Sequence, residues 1–317
     1  MKNIRFLAFA LSLGVLTACG GGNGQQDQQA SESVSEEELA QDPSQNGQKS
    51  QEPEFSPEEV NMLLQSIPSP LETTRLIKAL GARYKATYLN QPQRSEQYAT
   101  EFDQAVNLGI YGTDLGYINI YNRQQEVLDY LDVVTQLANK LNVGKFFNLK
   151  AMQRLVSNKA NTDSLLYITT SGFDEMTTYL NEQGRSKVSV AIITAGWIEG
   201  MYLITQVAEL NPSEQLDEKV GEQKVVLENI LELTKLFEGK NDSYAMMHEE
   251  LKAMQAVYDN VTIEYQDSEA GGTANEAADE DMLMVEGSQQ SIVNITPEQV
   301  AQIGKITDRL RTKLVKP

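Results

Sequence analysis

Between residues 123 and 142 the apolar positions Val127, Leu131, Val134, Ala138 and Leu141 fall at alternating spacings of four and three. That spacing draws one apolar stripe down a helix. In 297–315, Val300, Ile303, Ile306, Leu310 and Leu314 also recur at threes and fours. Residues 70–80, 94–108, 147–157, 163–182, 213–237 and 243–258 read as further helices, several closed by glycine (Gly81, Gly184, Gly239). The stretch 186–210 differs. Val188 to Leu210 is apolar nearly all round, interrupted chiefly by Glu199 and Glu209, which marks a helix buried among others. It is long enough to cross a bilayer, but Glu199, Gln206 and Glu209 are costly in lipid, so a core helix is expected. Gly196 and Gly200 stand four apart within it, a spacing that lets a neighbouring helix come close.

Helix starts carry a repeated signal. Ser56-Pro57-Glu58-Glu59, Ser69-Pro70-Leu71-Glu72, Asn211-Pro212-Ser213-Glu214 and Thr296-Pro297-Glu298-Gln299 share one logic. The first residue caps, proline takes the first helical position where its missing N–H costs nothing, and Glu or Gln two positions on closes a capping box. Strand signals are scarce. Val261-Thr262-Ile263-Glu264-Tyr265 alternates, and Ser291-Ile292-Val293-Asn294-Ile295 is its expected partner. Between them, 266–290 is acidic and rich in Gly, Ala and Glu, and reads as a mobile loop. No period near 34 residues and no Trp-Leu-Gly-Tyr pattern supports a tetratricopeptide array. The fold expected is all-α, a multi-helix bundle or irregular helical array of about nine helices, with a small β-hairpin near 261–295.

The N-terminus follows another pattern. Lys2 and Arg5 precede an apolar run, Phe6 to Leu16, that is too short to span a bilayer, and small residues follow. Leu16-Thr17-Ala18-Cys19 resembles the lipobox of bacterial lipoproteins. The resemblance implies that 1–18 is a lipoprotein signal peptide and that Cys19 is acylated with palmitate and becomes the new N-terminus. Cys19 is the single cysteine of the chain, so it cannot form an internal disulfide. Two or more acyl chains, each burying methylenes at roughly 0.8 kcal/mol apiece, make release from the membrane negligible. Gly20 follows the cysteine where many gram-negative lipoproteins carry an Asp for inner-membrane retention, which favours the outer membrane. Residues 19–54, Gly-, Gln-, Ser- and acid-rich, cannot bury a core and read as a disordered tether. Its reach is roughly 30–35 Å. Residues 55–317 are expected to form a single helical domain.

Charge narrows the partners. Losing Lys2 and Arg5 with the signal takes the formal net charge from −19 to −21. Such a chain is repelled by phosphate backbones and anionic headgroups, so nucleic acid is excluded and membrane contact is assigned to the lipid on Cys19.

Chemistry-bearing motifs are few. The one histidine, His248 in Met246-Met247-His248-Glu249-Glu250, reads as a surface residue on an acidic helix face. One histidine and one acylated cysteine do not make the commonest zinc sites, and no Gly-x-Ser-x-Gly elbow, phosphate loop or EF-hand spacing is present. No cofactor and no metal is expected, and no catalytic set. What remains is carboxylate chemistry. Asp114 lies in Asn107-Leu108-Gly109-Ile110-Tyr111-Gly112-Thr113-Asp114-Leu115-Gly116-Tyr117, and Glu199 lies in the apolar helix beside Trp197. A carboxylate in apolar surroundings has a raised pKa and serves as an acid or binds a polar ligand, or else it is hydrogen-bonded to hold helices in register. Gly109, Gly112 and Gly116 so close together call for close helix approach or a break between two helices. Tyr111, Asp114, Tyr117, Trp197 and Glu199 are therefore the candidate ligand pocket, with a packed core as the plainer outcome.

That Gly/Tyr segment, together with Ile67-Pro68-Ser69-Pro70-Leu71-Glu72 and the lipobox, resembles an uncharacterised all-helical lipoprotein family of Bacteroidota over most of 55–315. The resemblance implies an envelope protein and supplies no activity. The leading expectation is a lipid-anchored, non-enzymatic scaffold or partner-binding domain at the cell envelope. A lipoprotein binding a small ligand (a glycan or other nutrient) is the alternative, and a carboxylate-dependent hydrolase a more distant one, needing two facing carboxylates roughly 5–9.5 Å apart for glycosidic chemistry.

Overall fold

A computed structural model describes residues 55–157, 162–266 and 290–316. The signal segment, Cys19, the tether 19–54 and nearly all of the acidic loop 266–290 lie outside the described residues. Ten α-helices and one hairpin are described: α1 Pro57–Gln65, α2 Pro70–Ala79, α3 Glu101–Ile120, α4 Gln124–Lys140, α5 Leu149–Ser157, α6 Thr162–Glu182, α7 Ser186–Leu210, α8 Glu214–Glu238, α9 Asp242–Tyr258, β1 Thr262–Gln266, β2 Gln290–Asn294 and α10 Pro297–Leu314. The fold is all-α, as the periodicity predicts.

Two helices form the centre. α7 is buried around its circumference, including Gly196, Glu199 and Gly200. It is the one described helix long and apolar enough to cross a membrane, and 94% of its most apolar window is buried inside the protein, as befits a core helix. Its main partner is α3, in which every residue from 105 to 120 is buried. Sequence periodicity places a helix at 94–108 instead. The difference has a local cause. Thr100 caps α3 and Asp103 closes a reciprocal capping box, so the helix starts at Glu101, while Pro92–Gln97 forms a short 3-10 helix before it. The glycines do not break the helix, because close approach is what requires them. A Cβ on Gly109 would lie 2.1 Å from the Ile192 carbonyl oxygen of α7, and one on Gly112 would lie 2.4 Å from the Phe173 ring of α6.

Other boundaries follow the capping logic unevenly. Ser56 with Glu59 and Thr296 with Gln299 form complete boxes, each with proline at the start. Asn211-Pro212-Ser213-Glu214 does not behave as expected: Asn211 is the C-terminal cap of α7, and α8 begins at Glu214 after Ser213. Pro212-Ser213 therefore separates two helices rather than opening one. Gly81 and Gly184 adopt positive φ of 79° and 67°, and Asn122 and Asn142 do the same after α3 and α4 at 56° and 59°, which ends those helices.

The stripe of α4 (Val127, Leu131, Val134, Ala138) is buried against α3. The hairpin pairs antiparallel with Ile263 opposite Val293, close to the predicted strands. It is seated on α8, where Gly221 leaves space for the Val293 side chain (a Cβ there would lie 2.3 Å from it). α10 then crosses back over α7 and α9.

Candidate functional site

The centre of the molecule holds a polar cluster in an apolar setting. Asp114 comes from α3, Glu199 from the middle of α7, and Arg311 from the last turn of α10. Glu199 and Asp114 are fully buried and Arg311 nearly so. Arg311 holds Glu199 at two points, Nε to Oε2 at 2.6 Å and Nη2 to Oε1 at 2.8 Å. This is the fork-on-carboxylate geometry in which charge-assisted hydrogen bonds are strongest. The guanidinium also donates to the Tyr88 carbonyl oxygen at 2.8 Å and lies 4.1 Å from the centre of the Tyr202 ring, so its charge is balanced by a carboxylate and a π face.

Asp114 is in a different state. Burial, then the neighbouring Glu199 carboxylate, hold the Asp114 carboxyl well above the usual carboxylate range, against the opposing pull of Arg311. Oδ2 accepts a hydrogen bond from the Asn90 backbone N–H at 3.0 Å, while Oδ1 has no donor facing it. A protonated acid accounts for both facts. It turns Oδ1 into a donor, and the acceptor beside it is Glu199. One positive and one negative charge then remain, which is what a buried site tolerates.

Asn90 carries the network outward. Asn90 donates through Nδ2 to Tyr98 Oη (2.9 Å) and to Asn107 Oδ1 (3.1 Å) and accepts from the Tyr130 hydroxyl at its carbonyl (2.9 Å). Tyr98 donates to the Val315 carbonyl oxygen, and Asn107 to that of Leu314. The polar groups of α3 thus satisfy both the loop 86–98 and the C-terminal end of α10, whose last carbonyls lack partners within the helix.

The five predicted pocket residues divide. Asp114 and Glu199 meet each other. Tyr111 is buried next to them and donates to the Gln91 carbonyl oxygen at 2.7 Å. Tyr117 lies in a tyrosine cluster, 5.5 Å from the Tyr84 ring and 5.0 Å from the Tyr121 ring, and accepts from the Lys85 backbone N–H. Trp197 faces α8 instead, where its indole N–H donates to Gln223 Oε1 at 2.9 Å. None of the five lines the cavity of about 490 Å³ that opens between α1, α3, α6 and α7. Its walls are Leu64 and Ile67 of the α1 region, Gly109 and Gly112 of α3, Phe173 and Asp174 of α6, and Ile192 and Ile193 of α7.

Pattern reading missed Arg311, Asn90 and this cavity. Arg311 carried a usable signal: it stands four after Thr307 and three before Leu314, both buried, so it lies on the inward stripe of α10. Asn90 and Phe173 carried none. His248 is also placed differently from the surface expectation. It is 5% exposed, its Nδ1 lies 2.9 Å from Thr234 Oγ1 of α8, and its Nε2 lies 3.7 Å from Glu238. Of its acidic neighbours, Glu249 is exposed and Glu250 pairs with Arg309 and Lys313 of α10, while the imidazole closes the α8–α9 contact. Burial pushes its pKa down, partly offset by Glu238.

Among the described residues no group of His, Cys, Asp and Glu side chains has the geometry to hold a metal ion. Comparison with family models, curated proteins and solved structures gives no match to the chain.

Proposed function

We propose that this chain is a lipid-anchored cell-envelope protein whose helical domain acts as a non-enzymatic scaffold or partner-binding module. The observation that carries the non-enzymatic part is how the two best-placed carboxylates are used. Glu199 is held at two points by Arg311, and Asp114 is kept neutral beside it, both sealed from solvent. The two are buried neighbours in the core, and neither borders the cavity between α1, α3, α6 and α7. The anchor rests on the sequence: Lys2 and Arg5, the short apolar run, and the lipobox ending in Cys19. The tether then gives the domain freedom to meet a partner within roughly 30–35 Å of the membrane.

Metabolic labelling with palmitate tests the anchor. The parent chain takes up label and fractionates with membranes, and Cys19→Ala does neither; equal labelling of both refutes it. Turnover of an envelope or glycan substrate that Asp114→Asn or Glu199→Gln abolishes in a folded protein would refute the non-enzymatic reading. The cavity between α1, α3, α6 and α7 favours a second reading, in which a small ligand is also bound.

A further inference from the structure

The cavity between α1, α3, α6 and α7 has a composition that selects its occupant. Leu64, Ile67, Phe173, Ile192 and Ile193 supply an apolar wall, and Gly109 and Gly112 border it where α3 packs tightly on Ile192 and Phe173. Two of the hydroxyls that border it are committed to helix carbonyls. Thr113 donates to Gly109 and Gly196, and Thr177 to Phe173.

Charge decides the rest. No Lys, Arg or His is among the described lining residues, and Asp174 at the exposed rim is the one charged side chain there. Among the described residues none donates a hydrogen bond or an ion pair to the Asp174 carboxylate. Partial burial, with Glu175 adjacent, pushes its pKa up, the response of a carboxylate lacking a cation. An anionic ligand would meet that carboxylate, while a cation would relieve it.

We propose that this cavity binds a small apolar amine, whose hydrocarbon body fills the space between the four helices and whose ammonium group pairs with Asp174. The site goes beyond the partner-binding role and does not depend on it. Its volume, about 490 Å³, falls in the range of small-molecule pockets.

The test uses three rigid cages of one shape and different charge: 1-aminoadamantane, 1-adamantanol and adamantane-1-carboxylate. Each is titrated calorimetrically into the full-length chain at about 0.15 M salt, where diffuse attraction to the acidic surface is screened. The amine is expected to bind at one molar equivalent, at least tenfold tighter than the carboxylate, with the alcohol between them. Asp174→Asn brings the amine down to the affinity of the alcohol. Thr178→Phe, placing a ring in the cavity, removes binding of all three. The proposal is overturned if the amine shows no saturable binding or the carboxylate binds as tightly. It is equally overturned if Asp174→Asn leaves the amine's advantage intact, or if Thr178→Phe, with a helical spectrum like the parent's, binds the amine unchanged.

Discussion

Arg311 and Glu199, separated by 112 positions in the chain, meet through two hydrogen bonds of 2.6 and 2.8 Å inside the core. The pair ties the C-terminal helix α10 to the central helix α7, and the neutral acid of Asp114 adds α3 to the same knot. Its consequence for stability is asymmetric. Removing one partner strands a buried charge, at a cost of about 3–5 kcal/mol, whereas removing both takes away the charge and the need for it. Glu199→Met and Arg311→Met are each expected to lower stability by that amount in urea unfolding. The double variant Glu199→Met with Arg311→Met loses less than the two single losses combined. Strict additivity would show that the two residues do not act as a pair.

The Asp114 acid sets a pH dependence of definite sign. Its folded pKa is raised above the ordinary carboxylate value, so the folded state holds a proton that the unfolded chain releases. Its contribution is fully present below the unfolded pKa, near 3.9, and is lost as pH rises through the folded value. Asp114→Asn keeps a donor beside Glu199 and has no proton to lose. The variant therefore gains on the parent as pH is raised from about 4 to 8 in denaturant titrations. A difference that is flat, or that shrinks with rising pH, would contradict a protonated Asp114.

His248 titrates in the opposite sense. Its pKa is depressed by burial, so its contribution is present above the unfolded value of about 6.5 and is lost as pH falls through the folded one. Being the single histidine, it gives one imidazole Cε1–H signal in proton NMR. The expected midpoint lies below 6.5. A midpoint above that value would place Glu238 ahead of desolvation in setting the charge.

Two glycines should respond oppositely to alanine. Gly109→Ala drives a methyl group onto the Ile192 carbonyl, a backbone atom that cannot turn aside, and about 1–3 kcal/mol or more is expected to be lost. Gly239 has nothing within 4 Å of its Cβ position and a φ of −78°, which alanine adopts freely. Gly239→Ala is expected to be neutral or to stabilise by about 0.4–1 kcal/mol, since it mainly restricts the unfolded chain. Thermal unfolding of the two variants checks the contrast.

Local signals were readable to the extent that they were local. The boxes at Ser56 and Thr296, the stripe of α4, the apolar circumference of α7 and the pairing of Ile263 with Val293 all follow from neighbours a few positions apart. The extent of α3 is hard to read locally because its interior carries Asn107, Thr113, Asp114, Asn119 and three glycines, which look polar or helix-breaking in isolation. Three of them are accommodated by something distant in sequence: Asn107 by the end of α10, Gly109 by α7, Gly112 by α6. Asp114 and Glu199 could be picked out as carboxylates in apolar surroundings, but their meeting with Arg311 is a property of three helices that only the tertiary structure brings together. The cavity depends on four elements, and no single segment announces it.

The most direct test of the partner-binding account is crosslinking in the native envelope, comparing the parent chain with Cys19→Ala and Asp114→Asn. The account predicts one stoichiometric protein partner with the parent, the same partner at the same yield with Asp114→Asn, and its loss with Cys19→Ala. An empty crosslink with the parent would contradict a scaffold. Loss of the partner in a folded Asp114→Asn protein would contradict the assignment of that buried acid to the core.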